Sequence, residues 1–451
     1  MMEKLRPQAQ GIQINAMQFL KQPSAAQLTK TGVSLHHFIG APRWPMLATN
    51  RDPTLQEYGT AGKSANNNGC YAIIHSGGQM VTPSDYMDVI EAVQPEIFVP
   101  IADEVPGDAS RKRTVQSVDR TLQWLDACLA RLSGVRREQQ HHVRHHQEGA
   151  DGQQGGDAAE QQQRWRRGDA DAAAEQDEQP AKRQRLEQGT DGGGGDGSGG
   201  GGGGSVGDKG GVAAQAMLEP PLVLAPVMGS RFPEERVRSA KAVASKPVAG
   251  FALCGFGMGE DAALHPQLLS AAVAELPADK PRLLLGMATP EEALEGVVQG
   301  ADLFDCGYPT HATLNGYALS FPQRMPASND ESGEGAAAAA AAAEGAAAAG
   351  AQAGADDSKV NLWSLEYSTD KAPLVEGCTC FACRNHTRAY VHHLLHTHEM
   401  LASVLLEIHN THWWLGFFES MREAVVAGQL GEYAAWFKER RRAARELQDP
   451  L

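Results

Sequence analysis

The stretch Pro281-Arg282-Leu283-Leu284-Leu285-Gly286-Met287-Ala288-Thr289-Pro290-Glu291-Glu292, running on to Gly300-Ala301-Asp302-Leu303-Phe304-Asp305-Cys306, decides the fold. It reads as one β–α–β step. An apolar run leads into a helix start, and a second apolar run ends on a carboxylate. Thr289 supplies the cap, Pro290 the first helical position and Glu291-Glu292 the early acid that a helix N-terminus favours. Thr82-Pro83-Ser84-Asp85 repeats that signature upstream. Further apolar runs lie at Tyr71–Ile74, Glu96–Ile101, Leu222–Val227 and Val248–Cys254. Helical-period segments alternate with them at Ser84–Val93, Thr114–Leu132, Pro233–Ser245 and Asp261–Glu275. Continuous apolar strands separated by helices predict a parallel sheet covered on both faces. Repeated steps without a glycine-rich dinucleotide fingerprint favour an α/β fold of the (β/α)8 TIM barrel type over a Rossmann arrangement.

Two segments interrupt this pattern. Residues 138–216 pass from Gln/His/Arg-rich text into a glycine run at Gly192–Gly204, and residues 328–358 are nearly pure alanine with glycine and acids. Neither composition can bury a core, so both read as disordered insertions into surface loops, where added length costs little. The expected organisation is barrel over 1–137 and 217–327, insertions at 138–216 and 328–358, and a C-terminal subdomain over 359–451. Without the insertions roughly 340 residues remain, a size suited to one barrel. Lys182-Arg183-Gln184-Arg185 inside the first insertion reads as a solvated charge run.

The net charge of −15 argues against a nucleic-acid binder until it is located. The first insertion carries 14 acidic against 8 basic side chains and the second carries 6 acidic and none basic, so most of the acidity lies outside the expected core. RNA binding is therefore compatible with the rest. The first residues show no secretory signal, no stretch is apolar enough to span a bilayer, and seven cysteines form no spaced disulfide framework. These features lead us to expect a soluble chain in a reducing compartment, the cytoplasm.

Chemistry concentrates in two places. Functional groups of a barrel stand at the C-terminal ends of its strands. Those positions hold His75-Ser76-Gly77-Gly78, Asp103-Glu104, Met228-Gly229-Ser230, Gly255-Phe256-Gly257 and Asp305-Cys306. Acids and glycines are also ordinary wherever a strand turns into a loop, so spacing alone makes no catalytic site. More specific is Cys378-Thr379-Cys380-Phe381-Ala382-Cys383. Three thiolates this close converge on a soft divalent cation, and a distant histidine completes a closed tetrahedral zinc site. His386, His392, His393, His396, His398, His409 and His412 all follow, and spacing does not rank them; one long helix is expected to carry most of them.

The Pro281–Cys306 text, the Cys378-x-Cys380-x-x-Cys383 run, Arg388-Ala389-Tyr390-Val391-His392-His393-Leu394, Glu399 and His409-Asn410 resemble the tRNA-guanine transglycosylase family. Leu224-Ala225-Pro226-Val227-Met228-Gly229 falls on another of its strands. The likeness covers essentially all of the chain outside the insertions. It implies a zinc-containing barrel of a family that exchanges guanine in tRNA anticodons for a 7-deazaguanine base. An aspartate attacks the ribose carbon and displaces the base. Asp305 falls at the nucleophile's position and Asp103 where an acid reads the base edge. Cys378, Cys380, Cys383 and His409 fall on the zinc ligands, one Zn2+ per subunit.

The departures matter more. The family's Asp-Ser-Gly-Gly-Phe-Gln is here His75-Ser76-Gly77-Gly78-Gln79-Met80, which loses an acid and a stacking ring worth roughly 1–3 kcal/mol per base. Met228 replaces a glutamine that hydrogen-bonds the purine edge. His311 and Leu314 stand where arginines hold the anticodon. The resemblance thus implies a non-catalytic member, paired as a heterodimer with a catalytic queuine tRNA-ribosyltransferase subunit and reaching tRNA through the complex. A peripheral association with the mitochondrial outer membrane would come through such a partner. Tyr390–Leu406 and Trp413–Val426 offer apolar stripes for the pairing; for Trp413, Trp414, Phe417 and Phe418 singly, core packing is the favoured reading. The alternatives are a working transglycosylase that uses Asp305, with His75 in place of the missing acid, and a zinc-dependent scaffold unconnected with tRNA.

Overall fold

Short strands and capped helices alternate along the computed structural model, which describes residues 11–21, 23–51, 65–74, 77–150, 220–287, 289–305, 307–325 and 358–448, without side chains for 135–150 and 442–448. The first elements are β1 (Ile12–Asn15), α1 (Ala25–Thr31), α2 (Leu35–Phe38) and β2 (Met46–Thr49). A hairpin follows, β3 (Cys70–Ile74) against β4 (Gly77–Val81), then α3 (Pro83–Val93), β5 (Ile97–Phe98) and α4 (Arg111–Ala150). The series continues through β6 (Leu222–Val227), α5 (Pro233–Ala244), β7 (Gly250–Leu253), α6 (His265–Val273), β8 (Arg282–Leu284), α7 (Pro290–Val298), β9 (Leu303–Phe304) and α8 (Gly307–Leu314).

Seven strands form one sheet in the order β1-β2-β5-β6-β7-β8-β9, which is the order of the chain, and every neighbouring pair is parallel. Both faces are buried. Leu224, Ala252 and Leu283 share one cluster with Val99, while Val223, Ala225, Phe251, Leu253 and Leu284 belong to another. Alternate residues of one strand therefore enter different cores, which is why the strands read as unbroken apolar runs. The capping boxes form at Thr82–Asp85 and Thr289–Glu292.

One strand expectation is corrected. Tyr71–Ile74 is not a strand of the parallel sheet; β3 pairs antiparallel with β4 in a separate hairpin. Gly78 there faces the Tyr71 ring so closely that any side chain would collide with it. The strands that open the parallel sheet are β1 and β2, each four residues long. Ile12-Gln13-Ile14-Asn15 alternates rather than running apolar, so it lacks the signal the other strands carry.

Beyond α8 come β10 (Tyr317–Leu319) and β11 (Lys359–Asn361), an antiparallel pair, and then α9 (Phe381–Asn385), α10 (Arg388–His396), α11 (Met400–Val426) and α12 (Leu430–Gln448). The single long helix expected for the histidines is two helices. Thr397 hydrogen-bonds back to the His393 carbonyl and His398 takes φ 55°, which ends α10 before Met400 begins α11. Trp414 and Phe417 are core, packed with Phe321, Tyr433 and Phe437, and α12 is tied to α7 by Arg441–Glu291 at 2.8 Å and Lys438–Glu295 at 2.7 Å. Trp413 and Phe418 are partly buried against the same cluster.

Gly134–Ala216 separates as a second compact unit. Within it the described part is the remainder of α4, which runs helical past Glu138 to Ala150. The rest of the expected insertion 138–216, with Lys182–Arg185, and all of 328–358 but Ser358 lie outside the described residues. Among the described residues no helix is long and apolar enough to cross a membrane.

Candidate metal centre and strand-end site

Cys378, Cys380, Cys383 and His409 converge, one ligand atom from each lying within 4.8 Å of all the others. The three sulfurs stand 3.4–3.6 Å from His409 Nδ1. Local structure sets this up. Cys380 is the N-cap of α9, its sulfur accepting the Cys383 N–H at 3.3 Å, so one turn brings the two thiols to the same side. His409 comes from the buried face of α11, and its other nitrogen, Nε2, is 2.9 Å from the Leu319 carbonyl of β10. That bond fixes the ring so that Nδ1 points at the sulfurs, the outer-shell arrangement of metal-binding histidines.

Burial alone would lower the His409 pKa, but hydrogen bonds to Cys378 and Cys380 outweigh it and push it up to about 10. A cation held there would take the cysteines as thiolates and the imidazole as its neutral form, so binding would release protons. These residues fit a metal ion. The neighbouring histidines do other work: His392 bonds the Leu362 carbonyl at 2.9 Å, His386 stacks on Tyr390, and His396 packs against Trp363.

At the sheet's C-terminal edge the structure gathers Asp103, Glu104, Arg51, Asp305 and the loops after β6, β7 and β8. Asp305 is buried just past β9, and Oδ2 accepts the Gly286 N–H at 2.8 Å. Burial pushes its pKa up to about 6, against the pull of the Gly286 amide and the Arg51 charge. Arg51 donates to the Phe256 carbonyl at 2.9 Å and stands 3.8 Å from Glu104, which accepts the Gly255 N–H at 2.9 Å. Gly257 and Gly286 have φ of +66° and +86°, and a side chain on either would strike the other loop's carbonyl. Only glycine allows this approach.

Asp103 is 1% exposed and occupied on both oxygens. Arg113 forms a two-pronged pair with it, Nη1 to Oδ2 at 2.7 Å and Nη2 to Oδ1 at 2.6 Å, and Arg120 reaches Oδ2 at 3.4 Å. Its backbone is held too, by Thr121 and Ser117 from α4. Met228 is buried and its N–H donates to Ser239 at 2.9 Å. Leu314 is 67% exposed on α8. His75 and Cys306 lie outside the described residues.

Sequence reasoning missed the arginines. Arg236 is fully buried and donates to the carbonyls of Ser230, Cys254 and Gly255, its guanidinium 3.9 Å over the Phe256 ring. Below that loop, Glu260 and Glu292 flank buried His265 at 2.8 and 3.4 Å. Glu260 also accepts the N–H groups of Gly257 and Met258, which fixes the turn. One signal was available for Arg113. Arg111-Lys112-Arg113 opens α4, where the helix dipole disfavours cations, so a basic triplet there calls for an anion nearby.

A family model described as queuine tRNA-ribosyltransferase matches residues 1–166 and 213–443. A Danio rerio protein named queuine tRNA-ribosyltransferase accessory subunit 2 is 39% identical over 214 residues, 46% of this chain and 51% of that relative. The chain thus spans about half the length of that relative. A Xenopus tropicalis protein of the same name is 30% identical over 407 residues, 88% of this chain and 78% of the relative. A Symbiobacterium thermophilum queuine tRNA-ribosyltransferase is 32% identical over 228 residues, 51% of this chain and 48% of the relative. The family model takes in all the described strands, the strand-end acids and all four clustered Cys and His residues, and the chain belongs to the queuine tRNA-ribosyltransferase family.

Proposed function

We propose that this chain is a non-catalytic accessory subunit of a queuine tRNA-ribosyltransferase. It would pair as a heterodimer with a catalytic subunit, which exchanges guanine for queuine at the wobble position of tRNAs with GUN anticodons (tRNA-Asp, -Asn, -His and -Tyr). The observation that carries this reading is the Asp103 carboxylate, both of whose oxygens are held by Arg113. An acid so engaged has no free edge with which to orient a purine. Asp305 at the nucleophile's position does not separate this reading from a catalytic one, because a carboxyl held near pKa 6 is still largely ionised at neutral pH. The names of the Danio and Xenopus relatives point to the accessory reading.

Seven parallel strands in chain order support closure as a (β/α)8 barrel, which would need one more strand; β10 pairs antiparallel with β11 in a sheet of its own. The domain boundaries given above are kept as part of the reading. The donor set of three thiolates and one imidazole is that of structural zinc, with no position left for a substrate. For the partner surface, α11 presents Met400, Leu401 and Val404 to solvent at 85%, 41% and 47%, while Leu405, Leu406 and Ile408 are buried behind them. Tyr390 on α10 is also exposed. This apolar face beside the metal cluster suits a protein partner. A cytoplasmic complex, docked through its partner at the mitochondrial outer membrane, remains part of the proposal.

Co-purification tests the pairing. The chain should assemble with a catalytic queuine tRNA-ribosyltransferase, and Leu401→Asp with Val404→Asp should weaken the pair by roughly ten- to a hundredfold, as loss of an interface anchor does. Assembly untouched by both charges on this face would move the interface elsewhere. No assembly of the unaltered chain would refute the proposal.

A further inference from the structure

We propose that Arg113 is a built-in occupant of a latent ligand site on Asp103, standing where a planar edge with two adjacent N–H donors would otherwise bind. The inference rests on the non-catalytic reading and names the side chain that engages the Asp103 carboxylate. A carboxylate at a strand's C-terminal end is placed to meet a ligand. Here it meets a guanidinium whose two terminal nitrogens each donate to a different oxygen, at 2.7 and 2.6 Å. The N1–H and N2–H of a guanine-type base present the same pair of parallel donors, so one carboxylate accepts either partner but not both. Adenine offers one donor and one acceptor along the corresponding edge and would not match.

The two arginines on Asp103 are not equivalent. Arg120 is anchored elsewhere, to the Asn67 side chain at 3.0 Å and the Ala65 carbonyl at 2.8 Å. Its reach to Asp103 is the longer one, at 3.4 Å. Among the described residues the Arg113 guanidinium bonds to nothing but Asp103. It is also a more exposed side chain, 24% against 17% for Arg120 and 2% for Asp103, so it stands between the carboxylate and water. Arg113 sits in the first turn of α4, a position unfavourable for a cation without that anion. It can therefore swing out without breaking any other bond, and Arg120 stays behind to keep the buried carboxylate paired.

Arg113→Ala tests this in the full chain, because alanine suits the helix and leaves Arg120 in place. Equilibrium dialysis with labelled guanine, and with adenine as control, should show guanine bound at least tenfold more tightly by Arg113→Ala than by the unaltered chain. Adenine should be retained by neither, and Arg113→Ala with Asp103→Asn should lose the gain. Thermal melts establish that the variants are folded. A folded Arg113→Ala that binds guanine no better than the unaltered chain overturns the proposal, as does a gain that survives Asp103→Asn. Partner assembly, measured on the same variant, reports separately on the accessory reading: intact assembly without any gain in guanine binding sinks the occupant alone.

Discussion

Cys380→Ser is expected to unfold the C-terminal subdomain and to lower bound zinc from one ion per chain to none. Cys380 is at once one of the four clustered residues that could hold a metal ion, the N-cap of α9 and a member of the core cluster with Leu374, Ala382, Val391, Leu405 and Leu406. Binding of a structural zinc contributes on the order of 10–16 kcal/mol in small metal-dependent domains. A whole domain is stable by only about 5–15 kcal/mol, so the remaining contacts of that cluster cannot make up the loss. The ion would tie the Cys378–Cys383 loop to His409 on α11, and α11 carries Trp414 and Phe417 into the neighbouring core. Metal analysis with hydrogen exchange over 358–448 reads both effects together. Cys70→Ser, far from the ligand set, should keep the zinc. A Cys380→Ser protein with native exchange protection would show that the subdomain stands without its metal.

Asp305→Asn should make the chain more stable at neutral pH, by roughly 3 kcal/mol. Burial holds the Asp305 carboxyl near pKa 6 against an ordinary 3.8. The folded state therefore binds the proton more tightly than the unfolded state. Its contribution is fully present below about pH 4 and is lost as pH rises through about 6. At about 1.4 kcal/mol per pKa decade the gap gives the stated figure. Asparagine carries no charge to bury, and its carbonyl oxygen can still accept the Gly286 N–H. Urea unfolding at matched pH between about 5 and 7.5 isolates the effect as a difference between variants. Acid loss of metal is common to both and cancels. The advantage of asparagine should grow with pH and level off above about 7. A constant or falling advantage would mean that Asp305 is ionised without penalty.

The sheet was legible because β6, β7 and β8 are buried on both faces and so read as unbroken apolar runs. Thr82 and Thr289 announced their helices because a capping box and an N1 proline leave a local signature. Hydrophobic patterning did not reveal β1, which alternates and is only half-buried, or distinguish β3 from a strand of the parallel sheet. Hairpin pairing is decided by contacts with β4 that a single run of residues does not carry. The three clustered cysteines spoke for themselves. His409 did not, because what selects it among seven histidines is the Leu319 carbonyl 90 positions away in the chain. The arginines stayed hidden for the same reason. Arg51 and Arg236 reach strand-end carbonyls from distant segments, and only the folded arrangement reveals their targets.

Incorporation of labelled guanine into unmodified tRNA is the most direct test of the central claim. Purified alone, this chain should incorporate nothing above the blank, whereas its complex with a catalytic queuine tRNA-ribosyltransferase subunit should exchange the base. Exchange by the isolated chain that disappears in Asp305→Asn would contradict the account.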